Sequence, residues 1–322
     1  MNTPTYPIQF DGPTGTVIGW PWPVTPHPDH EQITEDTEAW LSRFPVSASL
    51  SRFATSEPTT SPVHDPYERG YTAEAGALWA AMTPDAPTSY ATAISEFMVY
   101  WAIIDDLADS HTDPAKARYL LAELLGVIRG NGSTDERFLP FVDACDRMVR
   151  SWQRSVFAEE VAKYVHGVQQ IIDIEAAGHT PAIEEYLDIR RFDIGADLAV
   201  LLGLLGQDPH FDSDQFYSAP VQNALEHSVK HFALCLDLIL TWKSRRTSDG
   251  KRVANAALIV QGPDWDPHRD PSPGIEARRR TEEDLMHLSL KRIEESHPVI
   301  RKGIIQTIAG ALYGIRTLTR YR

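Results

Sequence analysis

Three carboxylates fall within five residues at Asp105-Asp106-Leu107-Ala108-Asp109, directly after the apolar run Phe97–Ile104. On a helix Asp105 and Asp109 are four residues apart and point the same way, with Asp106 a turn-neighbour. Like charges that close repel one another unless a cation sits between them. An all-oxygen donor set suits a hard divalent ion, and Mg2+ typically takes one or two carboxylates together with substrate phosphates. A solvated acidic helix end would use the same residues, so the motif alone does not decide the matter.

Three further groups accompany it. Asp237, Thr241 and Arg245 lie at i, i+4 and i+8 of a long apolar helical pattern, which places them on one stripe. An aspartate between Leu236 and Leu238 must find a partner or a metal if it faces inward; an outward polar stripe is the alternative. Arg190-Arg191, followed by Gly195, precede the apolar run Leu198–Leu205. A guanidinium fork at that point can bind phosphate oxygens, or make a helix-surface salt bridge. Gly195 inside a helical pattern carries a cost of about 1 kcal/mol relative to Ala, which points to a break or a close backbone approach there. The last group, Arg320-Tyr321-Arg322, closes the sequence after an apolar helix.

The elements that must position these residues are helical. Apolar residues make up 42% of the 322-residue chain and charged residues 23%, enough for a substantial core. The net charge of −15 argues against a nucleic-acid or anionic-membrane surface, and no run of about 18 apolar residues provides a membrane span. The first residues, Met1 to Pro13, lack a basic segment followed by an apolar one, so no secretory signal is expected and the expectation is a soluble, cytoplasmic protein. Cys145 and Cys235 each sit in an apolar helical context and read as reduced core residues. Eleven of the 23 prolines fall in residues 1–66, which predicts a mostly extended arm carrying one helix near Glu31–Phe44. From Tyr71 onward, 3.6-residue periodicity predicts helices near 72–83, 88–108, 114–128, 134–157, 159–177, 182–205, 217–247, 281–295 and 298–320. Strand alternation is nowhere sustained, and 261–274 reads as a long polar loop. The organisation is therefore an arm over 1–66 and one all-α domain over 67–322.

Taken together, the four groups resemble the class I terpene cyclases of bacteria and fungi. Those enzymes carry an aspartate-rich DDxxD on one helix and an (N/D)DxxSxxxE metal triad on a facing helix. A diphosphate-sensing Arg lies 46 residues before the triad and an Arg-Tyr pair about 80 after it; here 237 − 191 = 46 and 320 − 237 = 83. Tyr186 to Gly195 also looks like the family's YLxxRRxTxG signature, and Asn255 falls where the family often has its His-Asn. The resemblance covers roughly residues 70–322 and implies a single-domain class I terpene synthase (isoprenoid synthase) helical bundle.

It further implies roles. Asp105 and Asp109 would hold Mg2+, with Asp237 and Thr241 holding part of a third site, for two to three ions in all. Arg191 would sense the diphosphate, Ile194 would be the linker, and Gly195 the effector whose carbonyl faces the reacting carbon. Arg320 and Tyr321 would reach the diphosphate as the site closes, and the Pro-rich arm would fold over the mouth. The substrate would be a linear isoprenyl diphosphate, farnesyl diphosphate by family expectation, cyclised to a sesquiterpene by a monomer or homodimer. Phe97 and Trp101, at successive turns before Asp105, and Tyr313 are candidate cavity aromatics, with ordinary core packing as the alternative.

One departure stands out. The family's third triad ligand is Glu, and Arg245 stands in its place. A guanidinium has donors only and cannot coordinate Mg2+. Arg245 would then bind the diphosphate directly in place of an ion, or water or another acid would complete the site, or the enzyme would be impaired. A head-to-tail prenyltransferase shares the expected fold but calls for two DDxxD motifs where this chain has one, and a non-catalytic helical relative would leave the spacings unexplained.

Overall fold

The computed structural model describes residues 8–12, 17–43, 78–109, 114–133, 138–148, 154–208, 211–243, 255–262 and 273–317. Its architecture is a bundle of helices preceded by one short hairpin. Strands β1 (Ile8–Asp11) and β2 (Val17–Trp20) pair antiparallel, with Ile8 opposite Trp20 and Phe10 opposite Ile18. The sequence pattern gave no sustained alternation, so the hairpin is a correction: each strand is four residues long, too short to show a period of two clearly. The arm helix α1 (His30–Arg43) lies where it was expected.

The bundle continues with α2 (Thr88–Asp109), α3 (Pro114–Ile128), α4 (Leu139–Met148) and α5 (Arg154–Ala177). Then come α6 (Ile183–Asp193), α7 (Ala196–Gln207), the short α8 (Ser213–Phe216) and α9 (Ala219–Lys243). The chain finishes with α10 (Ala256–Gln261), α11 (Pro273–Arg292) and α12 (Pro298–Thr317). Three boundaries correct the sequence reading: the break expected between 157 and 159 falls inside α5, which is continuous there, and two others shift. The pattern over 182–205 divides at Gly195, whose φ of 67° is the left-handed conformation only glycine adopts freely. Helix α11 begins at Pro273 and not near 281, because proline fits the first turn of a helix, where its missing N–H has no intrahelical partner anyway.

Helix α7 explains how the halves assemble. Every residue from Ala196 to Gly206 is buried, so this helix has no solvent face. Its Leu198, Ala199 and Leu202 join a core built from α2, α3, α4 and α5. Its Val200, Leu201, Leu204 and Leu205 join a second core with α6, α9, α11, α12 and the hairpin. A helix apolar all round is stable only when packed on all sides, as it is here. At Gly167 of α5 an added Cβ would stand 2.7 Å from the Asp193 amide nitrogen, so that glycine lets α5 and α6 cross in backbone contact.

The described part of the arm is fastened at two places. Ile8, Phe10, Ile18 and Trp20 enter the second core. Trp20 stacks on His231 of α9 at 5.9 Å, and Trp22 meets His287 of α11 at 5.1 Å. Further along, the Asp29 amide donates to His27 Nδ1 at 3.0 Å, which leaves the ring proton on Nε2 to donate to the Ala86 carbonyl at 2.8 Å. The Thr88 hydroxyl, at the start of α2, donates to Asp29 at 2.6 Å.

Candidate active site

The acidic motif occupies the last turn of α2, which ends at Asp109 and holds no basic residue in that turn. A helix C-terminus carries the negative end of the macrodipole, so carboxylates there are unfavourable without an external cation. The position therefore suits a bound divalent ion on charge grounds. The side chains of Asp105 and Asp109 lie outside the described set, as do residues Arg245, Arg320 and Tyr321.

Asp237 sits six residues before the end of α9 and is 1% exposed. Both of its oxygens are engaged. Oδ2 accepts the Tyr186 hydroxyl at 2.7 Å and the Ala256 amide at 2.9 Å, and Oδ1 accepts Arg190 Nη2 at 3.2 Å. Arg190 also grips Asp193 through Nη1, with both carboxylate oxygens at 2.7 Å. Burial opposes the charge on Arg190, but Asp193, Tyr186 and Asp237 together hold its pKa well above the ordinary value. Burial, reinforced by the Asp237 carboxylate, pushes the Tyr186 phenol well above its ordinary range. Thr241 donates to the Asp237 carbonyl at 2.7 Å and lies 3.2 Å from Asn255 Oδ1. Asn255 caps α10, accepting from the Ala257 amide at 2.9 Å, and its amide donates back to the Asp237 carbonyl at 3.1 Å. Helices α6, α9 and α10 thus meet at one carboxylate.

Arg191 points elsewhere. Its Nε and Nη2 donate to Asp197 Oδ2 at 3.1 and 2.8 Å, and Nη2 also reaches Gln222 at 2.9 Å. Burial raises the Asp197 pKa against the opposing pull of Arg191. Gln222 and Asp237 lie 15 positions apart on α9, about 22 Å along its axis at 1.5 Å per residue. The structure therefore brings Asp237 to Arg190, and takes Arg191 toward the opposite end of α9.

Among the aromatics, Trp101 packs on Tyr164 of α5 with ring centres 4.2 Å apart. The same Tyr164 ring stands 3.5 Å from where a Cβ on Gly195 would lie, so Trp101, Tyr164 and Gly195 form one contiguous surface. Ile194 is partly buried beside it. Phe97 is fully buried between Phe141, at 4.8 Å, and Phe157, at 5.6 Å. Tyr313 on α12 is 38% exposed.

Sequence reasoning named Tyr186 and Arg190 within the signature but not their tie to Asp237, and it overlooked Tyr164 and the partly exposed stripe of α9. Between Ser228 and Thr241 only Leu236 and Leu240 rise above full burial, four residues apart on one face. The signal was present as the period of four, but a leucine in an apolar helix does not announce which side is open.

An all-α bundle whose cores close around a broken, wholly buried helix, with an acidic turn at one helix end, is the architecture of a class I terpene synthase. Residues 96–262 match the model of terpene synthase family 2, C-terminal metal binding, and the chain belongs to that family. The protein is accordingly an enzyme of the terpene synthase class. Among curated proteins none matches. Solved structures share the fold at low identity. The SVS_A2 protein from ancestral sequence reconstruction is 16% identical with a TM-score of 0.71, over 93% of this chain and 90% of that one. The 2-methylisoborneol synthase of Streptomyces coelicolor, solved with Mg2+ and geranyl-S-thiolodiphosphate, is 17% identical with a TM-score of 0.65, over 93% and 95% of the chains. A cucumene synthase variant is 15% identical with a TM-score of 0.67, over 95% and 100%. Among the described residues, no helix is long and apolar enough to cross a membrane.

Proposed function

We propose that the protein ionises a linear isoprenyl diphosphate, cyclises the resulting allylic cation and releases diphosphate, with Mg2+ held at the Asp105–Asp109 turn. The observation that carries this is the acidic last turn of α2, placed against the helix dipole with no basic residue in that turn, in a chain of this family. When bound, Mg2+ supplies Lewis-acid stabilisation of the charge that develops on the leaving group.

The chain's own residues do the rest. Arg191, fixed by Asp197 through Nε and Nη2, keeps Nη1, which makes only a 3.9 Å approach to Glu226, for a diphosphate oxygen. Arg245, Arg320 and Tyr321 add charge and hydrogen bonds at the leaving group. Trp101 and Tyr164 offer ring faces that stabilise a cation, while the apolar bundle keeps water away from it. Gly195 sits against those rings with its backbone kinked, as the effector position requires. Farnesyl diphosphate, the C15 chain, is the substrate we favour for a single domain of this size.

Incubation with C10, C15 and C20 diphosphates, with and without Mg2+, followed by gas chromatography–mass spectrometry, tests the reading. A cyclic product from the C15 chain with Mg2+ is expected. No diphosphate release from any chain, or chain elongation when isopentenyl diphosphate is added, overturns it.

A further inference from the structure

Family membership implies a metal ligand on α9, and the stripe position that would supply it is Asp237. Its surroundings do not fit that use. A carboxylate bound to Mg2+ must offer a lone pair toward an open site, with other hard oxygens nearby. Here Tyr186 and Ala256 occupy Oδ2 and Arg190 occupies Oδ1. Thr241 is likewise turned inward, its hydroxyl spent on the Asp237 carbonyl. Among the described residues no group of three or more His, Cys, Asp or Glu side chains gathers as a metal site. A divalent ion at Oδ1 would have to share that oxygen with the Arg190 guanidinium, a like charge 3.2 Å away.

Asp237 and Thr241 are also both buried on α9, Asp237 at 1% exposure.

We infer that Asp237 is a positioning residue: it ties α6 and α10 to α9 through Arg190, Tyr186 and the Ala256 amide. The tie acts on the reaction through α6, because Arg190 and Asp193 lie just before the Ile194-Gly195 kink. The metal is then held from the α2 side. The inference rests on the cyclase reading above for its link to catalysis, but not for its link to the fold.

Asp237→Asn separates the two roles. For a tie, the metal-free protein melts about 5–10 °C lower, since a buried charge pair is broken. The number of Mn2+ ions bound with diphosphate, counted by electron paramagnetic resonance, stays the same. Mg2+ half-saturation of turnover stays within about twofold, and the product ratio shifts because α6 moves. For a metal ligand, the metal-free melt is unchanged, one fewer Mn2+ binds, and half-saturation rises tenfold or more; that result overturns the inference. If Asp237→Asn does not fold, Tyr186→Phe decides, because it retains the carboxylate. A lower metal-free melt with the same Mn2+ count supports the tie, and an unchanged melt refutes it. Should the parent protein release no diphosphate, the function reading fails while the melts and Mn2+ counts still decide the role of Asp237.

Discussion

The last turn of α2 and the C-terminal third of α9 both carry aspartate, and the two positions differ in what the chain offers them. At Asp237 every oxygen has a partner from within the chain, so the charge is spent on holding three helices together. At the end of α2, three acidic residues share a turn with no basic residue and with the dipole against them. The first arrangement is complete as it stands; at the second we propose a cation from outside. A carboxylate in a motif is therefore informative through its unmet demand rather than its presence.

The Arg191–Asp197 pair offers the strongest way to break that contrast. Arg191→Ala removes the proposed diphosphate donor and also strands a buried carboxylate, so turnover should collapse and stability fall by about 3–5 kcal/mol. Adding Asp197→Asn should recover much of the stability and none of the turnover. Recovery of both would mean that Arg191 serves only the fold.

Asp105→Ala tests the unmet side. Turnover should drop at least a thousandfold, roughly 4 kcal/mol of barrier, while the melting temperature holds or rises as a charge opposing the dipole is removed. A variant that keeps more than about a tenth of parental turnover would show that the α2 turn holds no essential ion.

His231 sharpens the satisfied side. Buried on α9, its pKa is lowered to about 3, by burial first and by Arg279 second. The unfolded chain therefore binds a proton that the folded chain refuses between pH 6.5 and 3. Stability from this group is complete above about 6.5 and falls as pH drops, by about 3 kcal/mol near pH 4.5. Urea melts at pH 7 and 4.5 should show the slope, and His231→Phe should flatten it; an equal slope in the variant would place the acid sensitivity elsewhere.

The smallest effect is expected at Gly195→Ala. The added methyl meets only ordinary contact with Tyr164 at 3.5 Å, but the left-handed backbone costs an alanine about 1–2 kcal/mol. Chemical denaturation reads the cost, and a product ratio identical to the parent's would remove Gly195 from the substrate surface.

Much of this was written in the sequence as period. Helices α2, α3, α7, α9 and α12 follow from 3.6-residue spacing, and Gly195 marked its own break. The fate of Asp237 was not legible. Tyr186 and Arg190 stand 51 and 47 positions before it, and they converge only because α6 crosses α9 at a particular height. Spacing along a chain identifies which residues share a stripe; it does not say which stripe faces a neighbour. The same gap explains Phe97 and Trp101, one turn apart on α2. Phe97 is closed in by Phe141 and Phe157, whereas Trp101 reaches Tyr164 and the Gly195 kink.

The hairpin that docks on α9, α11 and α12 also sets a schedule for the nascent chain. Ile8, Phe10, Ile18 and Trp20 are translated well before the surfaces on α9, α11 and α12 that bury them. At about 5–20 residues per second, their partners on α12 arrive roughly 15–60 s later. Until then four large apolar side chains stay unburied on a short pair of strands, which is the interval in which a chaperone has something to hold.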